Sequence, residues 1–382
     1  MSTEAYWLST LRLTDFRNYA RLSLDLDARP VVLVGANGAG KTNLLEAVSF
    51  LAPGRGLRGA GHDEIAREKG SGGWAVFARV EGPHGRAEVG TGMGAGIEEG
   101  ERGSREVRID GARARAVNDL ALVCRMVWLT PAMDSLLTGP PGERRRFLDR
   151  LVLAMDAKHR SRIGQFETAM RQRNALLDTP GVDARWLDGI EAQMAEHGAA
   201  VSAARRDYVG MLQGVLAERG GEGPFPEARL ALEGTIETDL AHMPAIDAED
   251  RYRDALARSR RADAAAGRTL SGPHRSDLIV YYGPDARPAR ACSTGEQKIM
   301  LVGAVLAHAR LIRELSGGAT PLVLLDEIAA HLDARHREAL FAELLALGAQ
   351  AWMTGTERSV FASLVASAQT FQVARGRLEK TA

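Results

Sequence analysis

The sequence predicts an α/β protein whose parallel-sheet body is interrupted by a helical insertion. Three observations carry this. Val31-Val32-Leu33-Val34 is apolar on both faces, as a central parallel strand is, and runs into a glycine-rich loop and a helical segment. Leu322-Val323-Leu324-Leu325 is a second such run, ending in Asp326-Glu327. Between them, from Glu143 to about Glu218, the residues are nearly all helix-forming, broken once at Thr179-Pro180-Gly181.

The elements follow in order. Leu11 and Leu13 precede Phe16, and Leu22, Leu24 and Leu26 recur at period two, the mark of half-buried strands. Asn43–Val48 has helical character. Trp74–Val80, Ala87–Gly90 and Val107–Ile109 read as short antiparallel strands between glycine-rich turns, and Leu122–Leu129 as a mostly apolar strand. Thr138-Gly139-Pro140-Pro141-Gly142 closes that region. Ile190, Met194, His197, Val201, Ala204, Tyr208, Met211 and Val215 then alternate spacings of four and three, a coiled-coil seam, with Ile163, Phe166 and Met170 as a matching face. The simplest arrangement is an antiparallel helical hairpin projecting from the body. The last quarter returns to α/β: a helix over Gly295–Leu315, a buried strand over Pro321–Leu325, an amphipathic helix over Arg335–Leu347 and a further strand over Ala349–Met353. The expected division is a discontinuous body of residues 1–137 and 276–382, with residues 138–275 as the inserted arm.

Composition narrows the function. The 382 residues are 45% hydrophobic and 26% charged, an ordinary globular balance. Lys+Arg and Asp+Glu both number 49, so a phosphate-rich partner must be met by local patches and not by overall charge. Such patches exist. Pro141–Leu176 holds nine Lys/Arg against four acids, and Arg251–Arg275 seven Arg against two. A solvated face or salt bridges within the arm would explain them equally well. Cys124 and Cys292 stand far apart with no metal-ligand spacing, and read as small buried apolar residues. The N-terminus has no signal-peptide pattern. The longest apolar stretch, near Ile299–Ala307, is about half a membrane span. A cytoplasmic protein with no membrane partner is expected.

Three motifs carry chemistry. Gly35-Ala36-Asn37-Gly38-Ala39-Gly40-Lys41-Thr42, between an apolar strand and a helix, fits the P-loop pattern G-x-x-x-x-G-K-[ST]. Its glycines let backbone N–H groups close around phosphates, and the helix N-terminus adds partial positive charge. Lys41 is placed to reach the β/γ-phosphates, and Thr42 to offer an oxygen to Mg²⁺, so ATP and magnesium are the expected ligands. In the Walker B pattern of Leu322–Glu327, Asp326 is aimed at the magnesium shell and Glu327 at the attacking water as general base. Ser293-Thr294-Gly295-Glu296-Gln297-Lys298 stands just before a helix. A Ser-x-Gly turn there can hold an anion, but Ser293 with Glu296 also fits a plain capping box.

This order of P-loop, Ser-x-Gly signature and Walker B around a helical insertion resembles the ABC-type ATPases of the SMC/Rad50/RecF group, and within it the RecF family. The resemblance rests on Leu13–Tyr19, Gly35–Asn43, Pro53–Arg58, Arg144–Asp149, Ser271-Gly272-Pro273-His274-Arg275, Ser293–Lys298, Leu325–Glu327 and Ala330–Asp333. It implies a P-loop ABC-type ATPase head with an inserted, coiled-coil-like helical arm. It also implies a homodimer that forms on ATP, in which Ser293 and Gly295 cover the γ-phosphate held by the other subunit. Asp333 then belongs to the subunit-crossing D-loop, and Arg17, Asn18 and Asn43 lie near the nucleotide. The implied function is an ATP-switched clamp on double-stranded DNA near single-stranded gaps, acting in recombinational repair and replication. RecR and RecO are the implied partners, with RecA loading and the SOS response downstream. Slow, DNA-stimulated hydrolysis resets the clamp.

With a DNA partner implied, Arg144, Arg145, Arg150, Arg160, Arg162, Arg171 and Arg173 become candidate phosphate contacts, and Arg55 and Arg58 a second group. Arg144–Arg146 also admit a structural reading, because Phe147 and Leu148 look buried. The chain departs from the family in places. Ser276 stands where the first of two acids is usual, Met353-Thr354-Gly355-Thr356-Glu357 holds no switch histidine, and Leu129-Thr130-Pro131 offers no Q-loop glutamine. Three rivals stand beside this reading, and one, of a different class, is a purely structural module with a degenerate ATP site, against which the intact Lys41, Thr42, Asp326 and Glu327 argue. A transporter ATPase subunit would need a membrane partner. A Rad50-like end-processing scaffold would need long coiled coils and a Cys-x-x-Cys hook, which this arm lacks.

Overall fold

Strand β1 (Trp7–Phe16) buries Leu8, Leu11, Leu13 and Phe16, and pairs antiparallel with β2 (Tyr19–Asp25) and β4 (Trp74–Gly82). β3 (Val31–Val34), wholly buried, belongs to another sheet and leads into α1 (Lys41–Ser49). β5 (Gly85–Met93), β6 (Glu106–Ile109) and β7 (Ala112–Arg113) extend the antiparallel sheet, giving the order β2-β1-β4-β5-β6-β7. A short helical turn, α2 (Leu120–Val123), precedes β8 (Met126–Leu129). The single strand expected over Leu122–Leu129 is therefore shorter. Its first residues are helical, and Leu122 is 65% exposed.

The computed structural model describes residues 5–94, 104–218 and 225–381. These form two compact units: Met1–Asp134, Gly221–Pro226 and Lys298–Ala382 in one, Ser135–Gly220 and Glu227–Gln297 in the other.

The second unit begins with α3 (Pro141–Leu153), α4 (His159–Leu177) and α5 (Ala184–Glu218). A break between α3 and α4 was not expected. Asp156 makes it by accepting the Lys158 N–H at 2.9 Å and pairing with Arg162. β9 (Ala228–Glu233), α6 (Thr235–Asp239), α7 (Ala245–Ala266), β10 (Asp277–Tyr282) and β11 (Arg287–Pro288) complete the unit, with the small sheet in the order β11-β10-β9.

The expected two-helix hairpin is thus corrected: α7 packs along α4 and α5, and Phe166, Met194, Tyr252 and Leu256 share one core. A third helix widens the buried face of α5. Met194, Val201, Tyr208 and Val215 of the expected seam are buried, but so are Glu191, Ser202 and Arg205, whereas Met211 is exposed. At Gly198 the helices approach so closely that a Cβ would lie 3.0 Å from the Tyr252 ring. The unit also extends past the expected boundary at 275. β10 pairs with β9 within it, and the unit runs on to Gln297, so Ser293 and Gly295 fall within it.

Helix α8 (Thr294–Leu315) carries the chain back to the first unit. β12 (Leu322–Leu325), α9 (Ala334–Ala346), β13 (Ala351–Gly355), β14 (Gln369–Ala374) and β15 (Arg377–Thr381) follow. The central sheet has the order β15-β14-β3-β13-β12-β8, with β14, β3, β13, β12 and β8 all parallel. β3, β8 and β12 read as continuous apolar runs because both their faces are covered. Phe16, Phe50 and Trp74 interlock in the core beside α1, with the Phe50 and Trp74 rings 5.0 Å apart. Buried Gln350 ties the two sheets. Its Nε2 donates to the Leu8 and Asp27 carbonyls, and its Oε1 accepts from the Leu8 N–H. Cys124 and Cys292 are buried free thiols, and burial pushes Cys124 up to about 12, leaving it an inert apolar group.

Candidate nucleotide site

The chain leaves β3 at Val34 and must turn sharply into α1. Gly35 passes so close to the end of β14 that a Cβ would lie 2.3 Å from the Val373 carbonyl oxygen. Gly40 takes φ +115°, and a Cβ there would lie 2.4 Å from Asn18 Nδ2 and 2.9 Å from Tyr19 Oη. Those two side chains form the floor of the loop. Asn18 Nδ2 donates to the Ala39 carbonyl at 3.3 Å, and the Tyr19 hydroxyl to the Gly40 carbonyl at 2.9 Å. Asn43 Nδ2 donates to Asn18 Oδ1 at 2.8 Å, and the Gly376 N–H to Ala39 at 3.2 Å. With carbonyls of the loop held from behind, and the Gly35 and Ala39 N–H groups given to the Gly355 and Ala36 carbonyls, the N–H groups of the first turn of α1 are left to face an anion.

Lys41 is 4% exposed and lies curled on the loop, donating to the Gly35 carbonyl at 2.7 Å and the Ala36 carbonyl at 3.0 Å. Its Nζ is 4.0 Å from Glu327 Oε1. Burial lowers its pKa, and the nearby charges of Glu327 and Asp326 oppose that shift.

The strand order β3-β13-β12 places Thr354, near the end of β13, between the P-loop and the Walker B acids. Asp326 Oδ1 accepts from Thr354 Oγ1 at 2.8 Å and from Thr42 Oγ1 at 3.0 Å. The Glu327 N–H donates to Thr354 Oγ1 at 2.8 Å. Glu327 itself has φ +55°, a left-handed conformation that a side chain adopts only when its surroundings hold it. Burial lifts the Asp326 carboxyl above the usual aspartate range, and the two hydroxyl donors partly offset this. Thr42 and Asp326 present hard oxygens on adjoining elements, a donor pair that suits magnesium. Among the described residues no cluster of three or more His, Cys, Asp or Glu could hold a metal unaided. Any magnesium here would take its other oxygens from phosphate and water, as this ion does when bound with nucleotides.

Sequence reasoning missed Thr354, Tyr19 and Glu46. Arg17, expected near the nucleotide, is committed to Glu46: Nε donates to Oε2 and Nη2 to Oε1, each at 2.9 Å, and Nη1 to the Glu64 carbonyl at 2.7 Å. Glu46 is fully buried within α1, so Arg17 braces that helix.

Asp333 caps α9 by accepting the His336 N–H at 2.9 Å, and its other oxygen meets His336 Nδ1 at 2.7 Å. These bonds hold its carboxyl below the usual range. In the second unit, Ser293 and Glu296 form the capping box: the Ser293 N–H and hydroxyl donate to Glu296 Oε2 at 2.7 and 2.9 Å, and the Glu296 N–H donates back at 3.3 Å. Nothing lies within 4 Å of the point where a Gly295 Cβ would be.

A family model described as the RecF/RecN/SMC N terminal domain matches residues 7–378. The chain is 54% identical over 374 residues to the DNA replication and repair protein RecF of Mesorhizobium japonicum, covering 98% of each. It is 52% identical to RecF of Brucella suis, covering 96% of this chain and 94% of that one. The chain belongs to the RecF family of DNA replication and repair proteins. In fold it is similar to the recombination mediator protein RecF-ATPrS of the RecFOR pathway, with TM-score 0.87 and 21% identity over the whole of both chains. The Smc head bound to the C-winged helix domain of ScpA is more distant, with TM-score 0.54 and 16% identity over 98% of this chain and 97% of that one.

Several arginines expected to meet DNA in this RecF-family chain are engaged elsewhere. Arg173 is fully enclosed. Its guanidinium donates to Glu191, Asp263, Thr269 and the Leu256 carbonyl, so it joins α4, α5 and α7 and cannot reach a phosphate. Arg144 is buried in a two-pronged pair with Asp277, both bonds 2.8 Å, which favours the structural reading of that triplet. Arg145, half-buried, donates to the Ser276 carbonyl at 2.6 Å; burial first, then the charge of Arg205, lower its pKa. Arg150 lies over the Phe147 ring. Arg162 pairs with Asp156, and Arg171, exposed, donates to Thr168. Arg160 and Arg55 are exposed, and Arg58 is half-exposed while donating to Asn43 Oδ1 at 2.8 Å. A lysine- and arginine-rich segment reveals charge; only packing reveals which charges are already neutralised.

Proposed function

We propose that the P-loop of this RecF-family protein binds MgATP and that the bound nucleotide gates a clamp on double-stranded DNA. One observation carries this reading: Thr42, Asp326 and Thr354 meet at a single carboxylate oxygen beside Lys41 and Glu327. On binding, Lys41 exchanges the Gly35 and Ala36 carbonyls for phosphate oxygens, which relieves the cost of its burial. Thr42 turns its oxygen to magnesium, and Asp326 holds the metal shell. Glu327 orients the attacking water, which makes the protein a slow, DNA-stimulated ATPase in this reading.

Ser293 and Gly295 act in trans. Two chains close around two nucleotides, each signature segment covering the γ-phosphate held by the partner copy, and Asp333 lies at the crossing. The closed dimer engages duplex DNA near single-stranded gaps. RecR, with RecO, then helps place RecA, which links the protein to the SOS response. The named relatives, and a structural neighbour described as a recombination mediator of the RecFOR pathway, support this reading. Among the described residues no helix is long and apolar enough to cross a membrane.

The test is light scattering with and without MgATP for the parent, Lys41→Met and Glu327→Gln. The expected result is a nucleotide-dependent dimer in the parent, none in Lys41→Met, and an accumulated dimer in Glu327→Gln. A parent protein that binds MgATP but stays monomeric overturns the trans arrangement.

A further inference from the structure

The arm's inner arginines are spent on ion pairs, which leaves the question of where free positive charge remains. Helix α7 answers it. Ala248, Tyr252, Leu256 and Asp263 face inward. The Arg173 network grips Asp263 and the Leu256 carbonyl, and Arg260 pairs with Asp188 and Glu191. These bonds fix the roll of α7 about its axis. Residues 251, 254, 258, 261 and 265 recur at spacings of three and four, so they share the opposite face. They are Arg251, Asp254, Arg258, Arg261 and Ala265, all but Ala265 charged and all exposed, with Arg268 just past the helix. Arg251 lies 3.4 Å from Asp239, and Arg253, to one side, pairs with Asp250. The side chains of Arg258, Arg261 and Arg268 make no hydrogen bond or ion pair among the described residues; the Arg268 backbone N–H donates to the Asp263 carbonyl.

We infer that this outer face of α7 is a phosphate-contacting surface for duplex DNA. The inference rests on the DNA-clamp reading above and adds the place of contact, on residues outside the arginines first expected to serve. Arginine suits the task because its planar fork donates two bonds to one phosphate. From Arg251 to Arg261 the helix advances about 15 Å, enough to meet several phosphates of one duplex edge. The single acid on this face, Asp254, leaves the stripe net positive. Contact through phosphates is independent of base sequence.

The experiment measures binding of a fluorescent duplex by the full chain with MgATP, from low to physiological salt, for the parent, Arg258→Gln/Arg261→Gln and Arg253→Gln. Losing two phosphate contacts lowers the slope of log affinity against log salt by about 1.8. The double variant should also bind roughly tenfold or more weakly near 0.1 M salt, the effect of losing two charge-assisted bonds. Arg253→Gln should keep the parent slope, and Arg258→Lys/Arg261→Lys should largely restore it. A double variant with the parent slope overturns the assignment of α7 and leaves the clamp reading standing. A parent that binds no duplex with MgATP sinks the clamp reading, and this inference with it.

Discussion

The Thr354 hydroxyl donates to Asp326 Oδ1 and accepts from the Glu327 N–H, both at 2.8 Å. One buried side chain thus orients the proposed metal ligand and holds the backbone of the proposed base in its left-handed turn.

Thr354→Val should lower the rate of ATP hydrolysis roughly ten- to a hundredfold, the range for loss of a hydrogen-bonding partner that orients a metal ligand, while ATP affinity changes less. Thr354→Ser should retain most of the rate, because it keeps the hydroxyl. Steady-state kinetics on the three proteins separate this from loss of packing, which serine would not rescue.

The same pair sets a pH dependence. Asp326 must be ionised to hold magnesium, and its pKa already stands above the ordinary aspartate value through burial. Magnesium-dependent ATP binding should therefore weaken on acidification at higher pH than an exposed aspartate would give. Thr354→Val removes a hydrogen bond that lowers this pKa, so its acid limb should move to still higher pH. A limb that stays put, or moves down, contradicts the assignment.

Much of this site was legible in the sequence. Val31–Thr42 and Leu322–Glu327 carry both motifs, with the glycines and acids their chemistry needs. Thr354 was not legible in that way. Its importance comes from β13 lying between β3 and β12, an order that no local pattern encodes. The arm failed differently. Helical periodicity over residues 184–218 is real, but the burial of Glu191, Ser202 and Arg205 depends on α4 and α7, α6 and α3 supplying partners. Spacing cannot reveal a third helix from a distant segment.

Gly40→Ala should destabilise the first unit by roughly 2 kcal/mol, since φ +115° disfavours a side chain and the Cβ displaces Asn18 and Tyr19. Thermal unfolding reads the first effect and nucleotide titration the second. Parent-like affinity would show that the Asn18–Tyr19 floor does not shape the loop.

Arg173→Met should cost about 3 kcal/mol or more, because it leaves Asp263 buried and without its guanidinium partner, with Glu191 keeping Arg260. Denaturant unfolding measures the loss. At temperatures where the variant is folded, its salt slope for duplex DNA should equal the parent's. A reduced slope would return Arg173 to the list of phosphate contacts.

The central claim is that nucleotide gates DNA engagement. Duplex binding measured with and without MgATP, repeated across salt, tests it most directly. The account predicts tight, salt-sensitive binding only with MgATP, and none of that gain in Lys41→Met. Equal affinity with and without nucleotide at every salt concentration would contradict it.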